Sequence, residues 1–227
     1  MFHLRKFRKF IISELNDYMV TTKVISHSKP LSQINSIDIP KPSCEELEKY
    51  LNLWNTLENY NLQEIALNRL FLELAPTNTN ISDILLKTAT LNDFYSTNIF
   101  SIFPVAQHIL SLNIDNRLIN GDISLVDDIK TVYIKDKKKE FYSFATKYCS
   151  HHNAEEFPIY DSYVHKVLCH FRNIDRFSYF NNNDLKCYEK FKNILYDFQS
   201  FYGLDSYTLK ELDRYLWQLG KEYFKKK

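Results

Sequence analysis

Residues 137–171 read KKKEFYSFATKYCSHHNAEEFPIYDSYVHKVLCHF and contain two groups of apolar residues at the spacing of a helix face. The groups are Phe141, Phe144, Ala145 and Tyr148, and Val164, Val167, Leu168 and Phe171. Asp161 stands directly before the second group, at the position of a helix N-cap. The segment therefore predicts a helix, a polar loop over residues 150–160, and a second helix that begins behind Asp161.

Glycine is scarce in the whole chain, which has 227 residues and only three glycines. Gly121, Gly203 and Gly220 stand alone, so the sequence contains neither a GxGxxG nor a GxxxxGK phosphate-binding loop, and a nucleotide cofactor is not expected. Tight hairpins favour glycine in their turns, and the one Asn-Gly pair is not flanked by alternating strands. The scarcity favours helices over sheets.

The helical spacing continues on both sides of the segment. It predicts helices over residues 1–19, 43–57, 63–74, 81–90, 100–112, 124–132, 184–201 and 206–224. Residues 26–43, which include three prolines, and the polar-aromatic run 91–98 are predicted to be irregular. We therefore expect an all-α fold.

Charge and cysteine content point to a cytoplasmic protein. The chain has 29 basic and 28 acidic side chains, so its net charge of +1 provides no overall attraction to nucleic acid. The four cysteines show no CxxC spacing, which is typical of reduced thiols. The longest run without Asp, Glu, Lys or Arg, residues 94–114, contains polar residues and Pro104. A membrane-spanning segment is therefore not expected.

Residues 137–171 resemble the catalytic segment of the helix-hairpin-helix DNA glycosylases, the endonuclease III and oxoguanine glycosylase superfamily. In this family a hairpin leads into a helix, and a P-x-D motif supplies a catalytic aspartate at the start of the next helix. Pro158 and Asp161 fit the motif with one extra residue between them. The resemblance implies that Asp161 is the catalytic carboxylate. It also implies two closely packed helical subdomains with a DNA-binding cleft between them.

The family's bifunctional members have a lysine that forms a Schiff base before the catalytic aspartate. The corresponding residue here is Ser143, 18 positions before Asp161, which implies a monofunctional enzyme. Lys147 lies one helical turn after Ser143 and faces the same side, so it is an alternative nucleophile.

A second stretch, residues 95–102, is similar to the turn of small polar residues and Asn that lies beside the flipped base in oxoguanine glycosylases. Together with the aspartate segment it supplies candidates for lining a base pocket or entering the base stack. They are Tyr95, Thr97, Asn98, Ser143, Lys147, Tyr160 and Tyr163. Trp217 is a further aromatic candidate, although its place in the last apolar stripe favours packing.

The hairpin of the resembled family contacts a DNA phosphate through glycine amides, and this chain has lysines at that point. We expect the phosphate contacts to come from Lys135, Lys137, Lys138 and Lys139. The basic residues of the N-terminal helix, Arg5, Lys6, Arg8 and Lys9, are further candidates. A solvated surface loop is the alternative interpretation of the lysine cluster.

Metal ligands are the remaining possibility for the polar loop. Cys149, His151 and His152, with Cys169 and His170 further on, match no common zinc spacing. The cysteines are also too widely spaced for the iron–sulfur cluster of some glycosylases. Neither a metal nor another cofactor is predicted.

The expected protein is a monomeric, monofunctional DNA glycosylase that acts on double-stranded DNA. It would hydrolyse the N-glycosidic bond of a flipped damaged or modified base, including a modified base of phage DNA. Residues 1–227 would form one glycosylase-like unit: a basic helix and linker (1–43), a core with the catalytic segment (81–171), and a second subdomain (44–80 and 172–227). The alternatives are a non-catalytic DNA-binding protein of the same fold, and a helical protein-interaction module in which Asp161 is only a cap.

Overall fold

Helices make up the regular structure of residues 39–224, the part of the chain that the computed structural model describes, apart from one short β-hairpin. These residues form one compact unit. The mostly helical architecture predicted from the sequence is confirmed. The predicted basic helix over residues 1–19 and most of the irregular segment 26–43 lie outside the described residues.

The elements follow one another with short connections. In chain order they are α1 (Cys44–Trp54), α2 (Glu58–Asn68), a π-helical turn (Arg69–Leu74), α3 (Ile81–Tyr95), α4 (Ile102–Ser111), α5 (Asp115–Ile119), α6 (Leu125–Lys130), β1 (Thr131–Ile134), β2 (Lys137–Glu140), α7 (Tyr142–His152), α8 (Ser162–Asp175), a 3₁₀ turn (Asp184–Lys186), α9 (Tyr188–Tyr202) and α10 (Leu209–Tyr223).

Helix α3 is longer than the sequence predicts. The prediction ended it at residue 90 and assigned residues 91–98 to an irregular turn, whereas the helix continues to Tyr95. Leu91 is fully buried, so its apolar side chain extends the helix face that packs on the core. Asn92 and Asp93 belong to the last turns of this helix rather than to an irregular turn. The chain leaves the helix only at Ser96, which has a positive φ of 50°.

The predicted helix over residues 124–132 is wrong at its end, because Thr131 begins a strand. Strand β1 pairs with β2 in antiparallel register, with Val132 opposite Lys139 and Ile134 opposite Lys137. Lys135 and Asp136 form the two-residue turn with φ values of 49° and 60°. Two left-handed residues are typical of the tight type I′ turn. Sheets were not expected because such turns favour glycine, but this turn is formed by Lys135 and Asp136.

The uncharged stretch 94–114 does not form one helix. It is divided between the end of α3, a loop, and α4, which has only ten residues. Among residues 39–224, none of the helices has the length and apolar character needed to cross a bilayer.

Helix α10 packs against both α8 and α1. At the crossing with α8, Gly220 approaches Tyr163 so closely that a Cβ on Gly220 would lie 2.6 Å from the Tyr163 Cβ and 2.9 Å from its carbonyl oxygen. A side chain at position 220 would therefore push the two helices apart. The close approach holds the start of α8, with Asp161 as its N-cap, beside α10.

Candidate active site

A cavity of about 280 Å³ lies among α1, α2, α3, α7, α8 and α10. Its lining includes charged side chains from separate parts of the chain, among them Lys147 of α7, Asp161 before α8, and Asp213 of α10. Trp54 and Trp217 line it as well. The cavity therefore combines convergent charged groups with aromatic surface, as ligand-binding pockets do.

Lys147 is buried in the wall of this cavity, with only 3% of its side chain exposed. Its Nζ donates hydrogen bonds to Ser143 Oγ at 2.7 Å and to the Tyr160 carbonyl at 3.2 Å. It lies 3.8 Å from Asp161 Oδ2 and 5.1 Å from the centre of the Tyr95 ring. Burial lowers the pKa of Lys147, which increases the fraction of neutral amine.

Asp161 uses its two carboxylate oxygens differently. Oδ1 accepts a hydrogen bond from the Tyr163 backbone N–H at 2.7 Å, which confirms the predicted N-cap. Oδ2 faces Lys147. The side chain remains 23% exposed, so capping leaves part of the carboxylate accessible from the cavity.

Asp213 is a second carboxylate in the same cavity. Burial raises its pKa to about 7, and the neighbouring Asp161 adds to the increase, whereas Lys147 opposes it. Its carboxylate makes no hydrogen bond or ion pair with any other residue between 39 and 224. A cavity-lining acid without a partner and with a pKa near neutrality is a candidate catalytic group.

His151 lies behind Lys147 in the cavity wall. Its Nε2 is 3.0 Å from the Tyr95 hydroxyl, and burial lowers its pKa to about 3. The next residue, His152, also has its pKa lowered to about 3 by burial and by the Lys87 charge. Its Nε2 faces two donors, Asn78 Nδ2 and Lys87 Nζ, each at 3.3 Å, and therefore acts as an acceptor. Both imidazoles are neutral in the folded protein.

The two neutral histidines predict a loss of stability in acid. Their pKa values are lower in the folded than in the unfolded chain, so the unfolded state takes up protons first as the pH falls below about 6.5. At pH 5.0 each of His151 and His152 should lower the free energy of unfolding by about 2 kcal/mol relative to pH 7.5. The raised pKa of Asp213 has the opposite effect, because protonation of this group favours the folded state as the pH falls. The free energy of unfolding is therefore measured by urea denaturation of the Asp213→Asn variant. Equal stability of this variant at the two pH values would contradict neutral burial.

A second buried lysine, Lys87 of α3, supports the loop that precedes its own helix. Its side chain is fully buried, and its Nζ donates to Ala75 O at 3.0 Å, Thr77 O at 2.9 Å and Asn78 Oδ1 at 2.7 Å. Asp115 in turn accepts hydrogen bonds from the backbone and side-chain nitrogens of Asn78. The ammonium group thus joins the loop to α3 from inside the protein.

The structure places the predicted pocket residues in two groups. Tyr95, Lys147, Asp161 and Tyr163 line the cavity. Thr97, Asn98, Ser143 and Tyr160 do not line it. Thr97 Oγ1 donates to Asn92 Oδ1, Ser143 contacts Lys147, and the Tyr160 ring packs against Tyr142 and Phe191. Asn98 lies in the α3–α4 loop with a positive φ of 60°.

The four predicted phosphate-binding lysines lie on the β-hairpin. Lys135 is in its turn, and Lys137, Lys138 and Lys139 lie on β2, whose side chains are all exposed. Lys138 forms an ion pair with Glu140 at 2.7 Å, which partly neutralises it. The other three ammonium groups make no hydrogen bond or ion pair among residues 39–224.

Sequence reasoning missed several residues near the cavity. Asp213 lies one helical turn before Trp217, next to the apolar stripe of α10, and that position was the available signal. Trp217 packs edge-on against Trp54 and Tyr60, which are likewise in the cavity wall. Phe100 follows the cavity residue Ser96 in the α3–α4 loop and is 96% exposed. Phe100 lies outside the helices and belongs to no apolar stripe, so helical spacing could not identify it.

No group of three or more His, Cys, Asp or Glu side chains within residues 39–224 is arranged to hold a metal ion. His151 and His152 instead bind Tyr95, Asn78 and Lys87 as described above. The four cysteines in this part of the chain are free thiols.

Comparison with known proteins gives two matches. Residues 46–156 match the family model HI_0787_N, described as an N-terminal domain. An uncharacterized protein of Haemophilus influenzae is 58% identical over 136 residues, which cover 60% of this chain and 65% of that relative. The chain thus spans less than two thirds of the relative's length. No solved structure matches. The family model includes Lys147 but ends before Asp161 and Asp213.

Proposed function

We propose that this protein is a DNA glycosylase of the helix-hairpin-helix type, which admits a flipped damaged or modified base into the cavity and cleaves its N-glycosidic bond. The observation that carries the proposal is the convergence of Asp161 and Lys147 in one cavity wall, with Oδ2 and Nζ 3.8 Å apart. In this proposal the substrate is either a damaged base of the cell's own DNA or a modified base of phage DNA.

Cleavage of an N-glycosidic bond develops positive charge on the sugar, which a fixed carboxylate stabilises. Asp161 is suited to this task because the hydrogen bond by which it caps the helix holds its carboxylate in place. Its second oxygen remains available to orient a water molecule. Water is the nucleophile that Ser143 implies, since Ser143 occupies the position of the Schiff-base lysine in the resembled family.

The walls of the cavity supply surfaces for a planar base. The aromatic side chains of Trp54 and Trp217 contribute to its lining, and Tyr163 lies near Asp161 at the start of α8. Enzymes that flip bases hold them by stacking in such pockets and fill the vacated space in the duplex. The exposed ring of Phe100 suits the second task, because apolar side chains of this kind enter base steps.

The order of the elements from α6 to α8 agrees with the resemblance, but a two-stranded β-hairpin stands where the family has a glycine hairpin. A helix, a hairpin, a second helix and a capping aspartate follow one another as α6, β1–β2, α7 and Asp161. In this proposal the exposed lysines of the hairpin bind DNA phosphates as point charges instead of through glycine amides. Such contacts make DNA binding dependent on salt concentration.

The proposal is tested with a set of duplexes that each carry one damaged or modified base, incubated with the protein and then cleaved with alkali at abasic sites. Strand breaks on at least one duplex are expected. Salt-dependent binding without strand breaks on any duplex would favour a non-catalytic DNA-binding protein. Absence of binding even at low salt would favour a protein-interaction module.

The position of Lys147 favours a second mechanism, a combined glycosylase and lyase in which its amine attacks the sugar. Burial lowers its pKa, and Asp161 lies close enough to stabilise the iminium that would form. Borohydride reduction during turnover then traps a covalent protein–DNA adduct that the Lys147→Met variant lacks. If wild type forms abasic sites but no adduct, water is the nucleophile.

A further inference from the structure

We propose that Asp213 is a general acid that protonates the departing base, so that two carboxylates of one cavity divide the work of bond cleavage. The inference rests on the proposed glycosylase function and adds a class of substrate. A base that is neutral in DNA leaves as an anion unless it receives a proton, whereas an N-alkylated cationic base leaves as a neutral molecule. The acid is needed for neutral bases.

The placement of Asp213 carries the inference. It lines the same cavity as Asp161 but comes from α10, on the other side of the α8–α10 contact. Trp217 follows Asp213 by one helical turn, and both side chains line the cavity. In the proposal, a base in this cavity takes a proton from Asp213 while its sugar lies toward Asp161.

The charged groups around Asp213 allow it to hold a proton at neutral pH. Lys147 faces it from α7, Asp161 from the start of α8, Glu64 from α2, and Lys210 from its own helix. Glu64 forms ion pairs with both Lys210 and Arg214, so this cluster keeps one net positive charge. Burial and the Asp161 charge raise the pKa of Asp213 to about 7. With no hydrogen-bond partner among residues 39–224, its proton is free for a ligand.

The step balances as a hydrolysis. The bond between C1′ and the base nitrogen breaks, and its electron pair remains with the base, which takes the proton of Asp213 and leaves neutral. Asp161 stabilises the positive sugar and accepts a proton from water, whose oxygen forms the new bond to C1′. Transfer of that proton from Asp161 to Asp213 through solvent restores both groups. The net change is the addition of one water molecule.

The test compares single-turnover rates of wild type and Asp213→Asn between pH 5.5 and 9 on a neutral base that wild type releases. Above about pH 7 the wild-type rate should fall about tenfold per pH unit, as Asp213 loses its proton. The variant should be about 100-fold slower at pH 6 and should show no such fall. The exposed Asp205, changed to Asn, is the matched control and should keep the wild-type profile.

Two outcomes would overturn the inference: a variant as fast as wild type, or a slower variant that keeps the fall above pH 7. Folding is checked separately, because Asn removes a buried carboxylate and should raise the melting temperature of the variant at pH 8. A melting temperature below that of wild type would contradict the burial on which the inference depends. If wild type releases no base from any duplex, the proposed function itself fails, which is a different result.

Discussion

Replacement of Asp161 by Asn should reduce the single-turnover rate of base release by about 1,000-fold and leave DNA affinity nearly unchanged. In the proposed mechanism, Asn removes the negative charge that stabilises the sugar cation. It is also as good an N-cap as Asp, so the hydrogen bond to the Tyr163 N–H should persist and α8 should remain intact. The change therefore separates the chemical role of Asp161 from its structural role.

The matched control is Asp161→Ala, which loses both the charge and the cap. It should show the same loss of rate and in addition a free energy of unfolding lower by about 1 kcal/mol. If Asp161→Asn releases base at the wild-type rate, Asp161 is only a helix cap and the proposed mechanism is wrong.

Replacement of Lys87 by Met should lower the free energy of unfolding by about 3–5 kcal/mol. Met preserves most of the side-chain volume but removes the ammonium donor from two buried acceptors, Ala75 O and Asn78 Oδ1, and from the partly buried Thr77 O. Urea denaturation at pH 7.5 measures the effect. Lys49, which is exposed and pairs with Glu46 on α1, provides the control.

The Lys49→Met control should change stability by less than about 0.5 kcal/mol, because an exposed ion pair contributes little. A loss for Lys87→Met of the same size as for Lys49→Met would contradict the structural role of the buried ammonium. The comparison separates burial from the simple removal of a positive charge.

Much of the fold could be predicted because local signals and tertiary packing agree. The apolar stripes before and after Asp161 correspond to α7 and α8, and the stripe of Leu209, Leu212, Leu216 and Leu219 corresponds to α10. The hairpin could not be predicted from glycine content, because Lys135 and Asp136 adopt the left-handed conformation themselves. Asp is among the residues that tolerate this conformation, and the four residues of β1 were too few for a clear alternation.

The predicted residues that line the cavity come from the resembled segment and, for Tyr95, from the second stretch, residues 95–102. Lys147 lies in the middle of α7, and Asp161 and Tyr163 lie at the start of α8, the next helix in the sequence. Asp213 and Trp54 reach the cavity through the packing of α10 against α8 and α1. A single sequence carries no signal for that packing, since an apolar stripe shows that a helix is buried but not which helix it meets.

Because Gly220 has no side chain, α8 and α10 can approach each other closely, and these two helices hold Asp161 and Asp213 of the proposed reaction. Gly220 lies where α10 meets Tyr163 of α8. Tyr163 follows Asp161 by two residues, and Gly220 follows Asp213 by seven. In the proposed reaction, the distance between Asp161 and Asp213 therefore depends on how closely the backbones of α8 and α10 approach at Gly220. Gly220 does not line the cavity. A side chain at this position would nevertheless move α8 and α10 apart and so change the size of base that can bridge Asp161 and Asp213.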